Sequence, residues 1–78
     1  MKKVTVKLFA SLAEAEGWRE RQCEIDSGTT AAVLWTRATG HPELPPRMLC
    51  AINMEYRPLD TVLAAGDEVA YFPPVTGG

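Results

Sequence analysis

The segment GDEVAYFPPVTGG, residues 66–78, carries the pattern that decides the fold. Val69 and Tyr71 fall on one side of an extended chain, and Ala70 and Phe72 fall on the other, as in a β-strand with one buried face. The two prolines that follow favour extended geometry and hold the chain away from the body of the protein. The segment therefore predicts a last strand that leads directly into a projecting tail.

A similar alternation opens the chain in VTVKLF, residues 4–9. Val4, Val6 and Leu8 share one face, whereas Phe9 lies on the other. We expect this first strand and the last strand to form the central, parallel pair of a sheet. The end of the chain would then leave the middle of that sheet.

Two short elements are predicted directly after the first strand. Ser11 precedes Glu14 by three residues, a capping-box spacing, and Gly17 can close the helix SLAEAE in the left-handed conformation. WRERQCEI, residues 18–25, then alternates imperfectly. This pattern predicts a second strand that is antiparallel to the first and near an edge of the sheet.

The main helix is predicted to begin after Thr30, whose hydroxyl can cap it, and to end at Gly40. Its apolar residues recur at helical spacing and would face the sheet: Ala31, Leu34, Trp35 and Ala38. The loop HPELPP cannot continue the helix, because each proline disfavours helical geometry in the residue before it.

The remaining segments predict a strand in MLCAIN, a turn in NMEY, a short edge segment in YRPL and a turn-rich connection in LDTVLAAGD. The order of elements predicts an α+β, β-grasp (ubiquitin-like) fold, in which one main helix crosses one face of a mixed sheet of about five strands. A short extra helix completes it. We expect residues 1–74 to form this domain and residues 75–78 to form a flexible tail that carries the reactive Gly-Gly end.

Composition excludes several classes of function. A chain of 78 residues has the interior of a single domain, and its net charge of −2 argues against a nucleic-acid partner. No apolar run approaches the length of a membrane span, so we expect a cytoplasmic protein without a membrane partner. Cys23, Cys50 and His41 are too few and too far apart for a metal site, and the cysteines are interpreted as packing residues.

The tail has a chemistry of its own. Gly77 and Gly78 carry no Cβ that would block a narrow passage, and the chain from residue 75 to its end reaches at most about 13 Å when extended. A terminal carboxylate is ionised at neutral pH and can attack an activated phosphoryl group to give an acyl adenylate. Sulfide or persulfide sulfur can then convert this adenylate into a thiocarboxylate.

Three segments and the chain length carry a family resemblance: KLFASLAE, AINMEY and LAAGDEVAYFPPVTGG. In these the chain resembles the small, sulfur-carrying subunit of molybdopterin synthase, over essentially its whole length. The departures are HPELPP, the charge-rich WRERQCE and Pro58 in the edge segment. They affect loops and edges and leave the tail chemistry untouched.

The resemblance implies a carrier that is not an enzyme on its own and binds no cofactor. In such a carrier Gly78 is adenylated by an E1-like adenylyltransferase that uses ATP, and Gly77 threads into the large subunit of the synthase. The thiocarboxylate there gives sulfur to cyclic pyranopterin monophosphate. Catalytic residues are expected in the large subunit, and the synthase is expected to be a heterotetramer.

A docking surface is expected beside the tail. Phe9 and Phe72 lie on the face that the main helix does not cover, which suggests a patch for a partner. The alternative is that loops cover both rings as a minor core. The full set of expected partner-binding residues is Phe9, Phe72, Tyr56, Leu59, Pro73, Pro74, Val75 and Thr76.

Other functions share the same tail. A sulfur carrier for thiamine synthesis or tRNA thiolation would use it unchanged, and a ubiquitin-like modifier would join Gly78 to target lysines by an isopeptide bond. A plain β-grasp interaction domain would not require the glycines at its end. The FPPV that precedes TGG and the chain length favour molybdopterin.

Overall fold

The computed structural model describes residues 2–74, which form five strands and two helices. Along the chain these are β1 (Lys2–Leu8), α1 (Ser11–Glu16), β2 (Glu20–Ile25), α2 (Ala31–Thr39), β3 (Leu49–Ile52), β4 (Glu55–Arg57) and β5 (Glu68–Phe72). The number of elements and their order are those that the sequence predicts.

The strands form one mixed sheet in the order β2-β1-β5-β3-β4. The central strands β1 and β5 run parallel, with Val6 beside Val69 and Leu8 beside Tyr71, while the other neighbouring pairs are antiparallel. This is the predicted β-grasp arrangement, with the last strand in the middle of the sheet.

The core lies between the sheet and α2. The predicted stripe of α2 is buried there, and so are the predicted inward residues of both central strands: Val4, Val6, Leu8, Ala31, Leu34, Trp35, Ala38, Val69 and Tyr71. The rings of Trp35 and Tyr71 meet edge to face with centroids 5.2 Å apart. The Tyr71 hydroxyl donates a hydrogen bond of 2.6 Å to the Ala31 carbonyl, which ties the last strand to the start of α2.

We expect Tyr71→Phe to lower the free energy of unfolding by about 1 to 2 kcal/mol, because it removes this buried hydrogen bond and leaves the Ala31 carbonyl without its partner. Urea unfolding at neutral pH measures the loss. Tyr56→Phe is the matched control, since the Tyr56 side chain is exposed. Equal stability of the two variants would contradict the role given to the Tyr71 hydroxyl.

The same hydroxyl makes the stability of the fold depend on pH in the alkaline range. Burial raises the pKa of Tyr71 well above its ordinary value, whereas in the unfolded chain a tyrosine ionises near pH 10, so the neutral hydroxyl stabilises the fold fully below about pH 10. This contribution is lost as the pH rises further. The stability of Tyr71→Phe should therefore fall less between pH 9 and pH 11 than that of the unmodified chain.

The ends of α2 are those predicted. The Thr30 side chain accepts a hydrogen bond of 3.2 Å from the Val33 N–H, and Gly40 ends the helix with a φ of 80°. Only glycine adopts that conformation without strain, so helix and loop separate sharply at this residue.

The predicted capping box of α1 is wrong. Ser11 is the first residue of the helix, and Ala10 precedes it with a φ of 53° and no side-chain hydrogen bond to the helix end. The chain reverses tightly after Phe9, whose carbonyl accepts from the Leu12 N–H, and this reversal occupies the position that a capping serine would need. Gly17 closes the helix as predicted, with a φ of 82°.

The turn at the start of β5 is held by side chains from two loops. Asn53 donates to the Asp67 carboxylate at 2.9 Å and accepts from the Glu68 N–H at 3.0 Å. The other Asp67 oxygen accepts from the Ala64 N–H at 2.8 Å. Asp67 is thus the turn residue that the sequence predicts.

Candidate functional site

The site is built around the place where the chain leaves the sheet. β5 ends at Phe72, after which Pro73 is half-buried and Pro74 is exposed. The predicted tail residues Val75, Thr76, Gly77 and Gly78 lie outside the described residues. Because β5 is parallel to β1, the chain leaves at the end of the sheet where β1 gives way to Phe9.

Three aromatic side chains lie together beside this exit, and we call Phe9, Tyr56 and Phe72 the aromatic patch. The rings of Phe9 and Phe72 stack with centroids 4.8 Å apart and planes 13° apart. The Tyr56 ring lies 5.9 Å from that of Phe72. Phe9 is 42% exposed and Tyr56 is 71% exposed, so the patch is open to solvent in the described chain.

The aromatic patch borders a shallow groove of about 300 Å³ whose floor is made of small residues. Ala51 and Ala70 are opposite each other in the β3 and β5 ladder, and both are almost fully buried. Met54, which is 90% exposed, lines the groove as well. Sequence reasoning did not select these residues, although the two-residue period of β3 and β5 places both alanines on this face.

Two charged side chains, Lys7 of β1 and Glu68 of β5, line the groove as well. The Lys7 ammonium lies 3.1 Å from the Glu68 carboxylate and 3.9 Å from that of Glu20. These half-exposed pairs add little to stability. They give the groove a polar margin beside its apolar floor, as protein interfaces have around an apolar centre.

Leu59 does not join the aromatic patch, contrary to expectation. Its side chain is half-buried against the hydrophobic core, and its carbonyl accepts a hydrogen bond of 2.9 Å from the Ala32 N–H of α2. The cause is Pro58, which follows β4 directly and starts a turn toward the helix. Leu59 therefore belongs to the opposite face of the sheet.

The two cysteines are free thiols, with Cys50 buried and Cys23 half-buried. Burial raises the pKa of both thiols, which lowers the fraction of reactive thiolate at neutral pH. The Cys50 thiol also donates to the Arg57 carbonyl at 3.1 Å. These surroundings fit the interpretation of both residues as packing residues.

Residues 2–74 lack two kinds of feature. None of the helices there has the length and apolar character that crossing a membrane requires. Nor does that part of the chain bring together three or more side chains that could hold a metal ion.

The model of the ThiS family matches residues 6–78. The small archaeal modifier protein 1 of Haloferax volcanii is 37% identical, over 92% of this chain and 97% of that protein. The molybdopterin synthase sulfur carrier subunit of Haemophilus influenzae is also 37% identical, over 96% of this chain and 99% of its own. The crystal structure of the Haloferax protein superposes with a TM-score of 0.81 at 35% identity, over 97% of this chain and 99% of that one.

Proposed function

This chain belongs to the ThiS family, and we propose on that premise that it is the sulfur carrier subunit of a molybdopterin synthase. The carboxylate of Gly78 is the group that reacts. The observation that carries the proposal is the parallel pairing of β1 and β5, which starts the tail beside the stacked rings of Phe9 and Phe72. A partner that binds the aromatic patch is then in reach of the chain end.

The first step in this proposal is activation of the tail. A Gly78 carboxylate oxygen attacks the α-phosphorus of ATP on an E1-like adenylyltransferase, and pyrophosphate leaves. Sulfide then attacks the acyl carbon, AMP leaves, and the chain carries a thiocarboxylate. If the donor is a persulfide, the product is first an acyl disulfide, which a second thiol of the donor reduces to the thiocarboxylate with formation of a disulfide. The carrier contributes an ionised and unhindered chain end, while ATP and the catalytic groups belong to the partner.

The second step is delivery. The aromatic patch docks on the large subunit of the synthase, and the tail enters its active site with Gly77 in the narrowest part of the passage. Sulfur passes there to cyclic pyranopterin monophosphate. In this proposal two carriers serve two large subunits in a heterotetramer.

Loading of sulfur onto a variant without cysteines tests whether the Gly78 carboxylate accepts the sulfur. We expect the double variant Cys23→Ala, Cys50→Ala to gain sulfur as fast as the unmodified chain when both are incubated with the adenylyltransferase, ATP and a sulfur donor. Intact-mass spectrometry detects the replacement of one oxygen by one sulfur, and fragmentation assigns it to Gly78. A folded double variant that no longer accepts sulfur would show that a cysteine carries it.

A second candidate is a ubiquitin-like modifier, and the similarity to the archaeal modifier protein over nearly the whole chain supports it. The same adenylate would then be attacked by a lysine amine of a target protein, with release of AMP and formation of an isopeptide bond. Mass spectrometry of proteins from the native cell distinguishes the two functions. Conjugates through Gly78 identify a modifier, whereas a thiocarboxylate identifies a sulfur carrier, for molybdopterin or for the thiolation of thiamine precursors or tRNA.

A further inference from the structure

A second groove lies on the other face of the sheet, between α1 and the segment 41–46. Its volume is about 460 Å³. Leu12 and Ala15 of α1, Trp35 of α2, Leu44 and the prolines of the segment line it. Leu12 and Trp35 also belong to the core on the helix side, so this groove is separated from the aromatic patch by the sheet. We call it the proline groove.

The wall of the proline groove contains a buried donor without a partner. Trp35 is 2% exposed, and its indole N–H has no hydrogen-bond partner among residues 2–74. Buried donors in folded proteins are nearly always paired, so this one marks a position where an acceptor is missing. An occupant of the groove that carries a carbonyl oxygen can supply that acceptor.

Two features define how the segment 41–46 lies beside this donor. Directly after it, the backbone turns at Arg47 with a φ of 59°, a strained value for a residue with a side chain. At its other end, His41 Nε2 lies 2.8 Å from a carboxylate oxygen of Glu16 in α1, and the Glu16 side chain is only 14% exposed.

The charges around the proline groove select the occupant. Of the described residues that line it, Glu16 and Glu43 are acidic, none is a lysine or an arginine, and the His41 ring contacts Glu16. An acidic, apolar groove is complementary to a cation next to an apolar side chain.

We propose that the proline groove binds a basic, apolar peptide segment of a partner protein. In this proposal an apolar side chain enters between Leu44 and Leu12, and the segment 41–46 shifts to admit a backbone carbonyl that accepts from the Trp35 indole N–H. A Lys or Arg side chain of the peptide pairs with Glu16 and Glu43. The aromatic patch remains free on the other face, so the carrier can bind this partner and a partner at the patch at the same time. The proposal does not depend on the tail chemistry.

Binding of a basic peptide to the proline groove can be tested by nuclear magnetic resonance on the full chain labelled with ¹⁵N. The probe is acetyl-Lys-Leu-Lys-amide, and the two indole signals serve as reporter and internal control, because Trp18 does not line the groove. We expect the Trp35 indole signal to move saturably at millimolar peptide while that of Trp18 stays in place. Acetyl-Glu-Leu-Glu-amide should cause no shift. The proposal is overturned if the Trp35 signal never moves or moves equally with both peptides.

Matched variants separate the groove charges from general attraction to an acidic protein. The double variant Glu16→Gln, Glu43→Gln should weaken binding of the basic peptide about threefold to tenfold, since a single ion pair at a protein surface contributes modestly. Glutamine keeps a hydrogen-bonding group opposite His41. The control Glu24→Gln, Glu55→Gln removes the same charge elsewhere and should bind normally. Equal weakening in both, or equal binding of acetyl-leucine-amide, would rule out a basic peptide as the occupant.

Discussion

Replacing Gly77 with phenylalanine is expected to abolish both the sulfur loading of Gly78 and the turnover of the pyranopterin precursor. A penultimate residue that passes through a channel fitted to bare backbone has no room for a benzyl group. Gly77→Ala adds one methyl group and should slow both reactions by about 100-fold, the cost of a small misplacement of a reacting group. Adenylate formation and turnover are measured on both variants with purified partners.

Neither Gly77 variant should change the melting temperature, because the buried residues of the described chain end at Tyr71. Both should also bind the large subunit through the aromatic patch. The control is Ala65→Phe, which adds the same ring at an exposed turn beside Lys3, at the other end of β1. Normal turnover by Gly77→Phe would mean that the tail does not pass through a narrow channel.

The second large effect concerns the stacked rings. Phe9→Ala or Phe72→Ala should each weaken binding to the large subunit by about 1 to 3 kcal/mol, because each removes a central aromatic anchor. The effect on stability should be smaller, since these rings lie outside the core cluster. Titration calorimetry measures the affinity, and thermal unfolding measures the stability of the same samples.

Val33→Ala is the control for the ring variants. Val33 is 46% exposed, close to the value for Phe9, but it lies on α2 on the other face. We expect it to leave the affinity unchanged. A large fall in melting temperature with unchanged affinity for the Phe9 and Phe72 variants would show instead that the two rings are a minor core.

The central strands could be predicted from the sequence because their pattern has one physical cause. Val69 and Tyr71 alternate with Ala70 and Phe72 since one face of β5 packs on α2 and the other does not. The same alternation in β1 places Phe9 beside Phe72, as the stacked rings confirm. The tail itself, from residue 75 onward, stays a prediction.

The errors arose where the chain turns. Leu59 follows Pro58 in a turn, and spacing along a sequence does not say toward which face a turn directs the next side chain. Ser11 has the spacing of a cap, yet the left-handed Ala10 before it sets the entry to α1. The proline groove was missed for a related reason, because HPELPP shows where a helix must end and not which surface the loop then covers.

The parallel pairing of β1 and β5 also has a mechanical meaning. A pull on the tail loads β5 along its own axis, and its neighbours β1 and β3 resist through hydrogen bonds that lie across the direction of the force. These bonds share the load in shear, whereas a strand at the edge could be peeled away one bond at a time. If partners draw in the chain end as proposed above, the pull is thus borne by central strands and not by an edge strand.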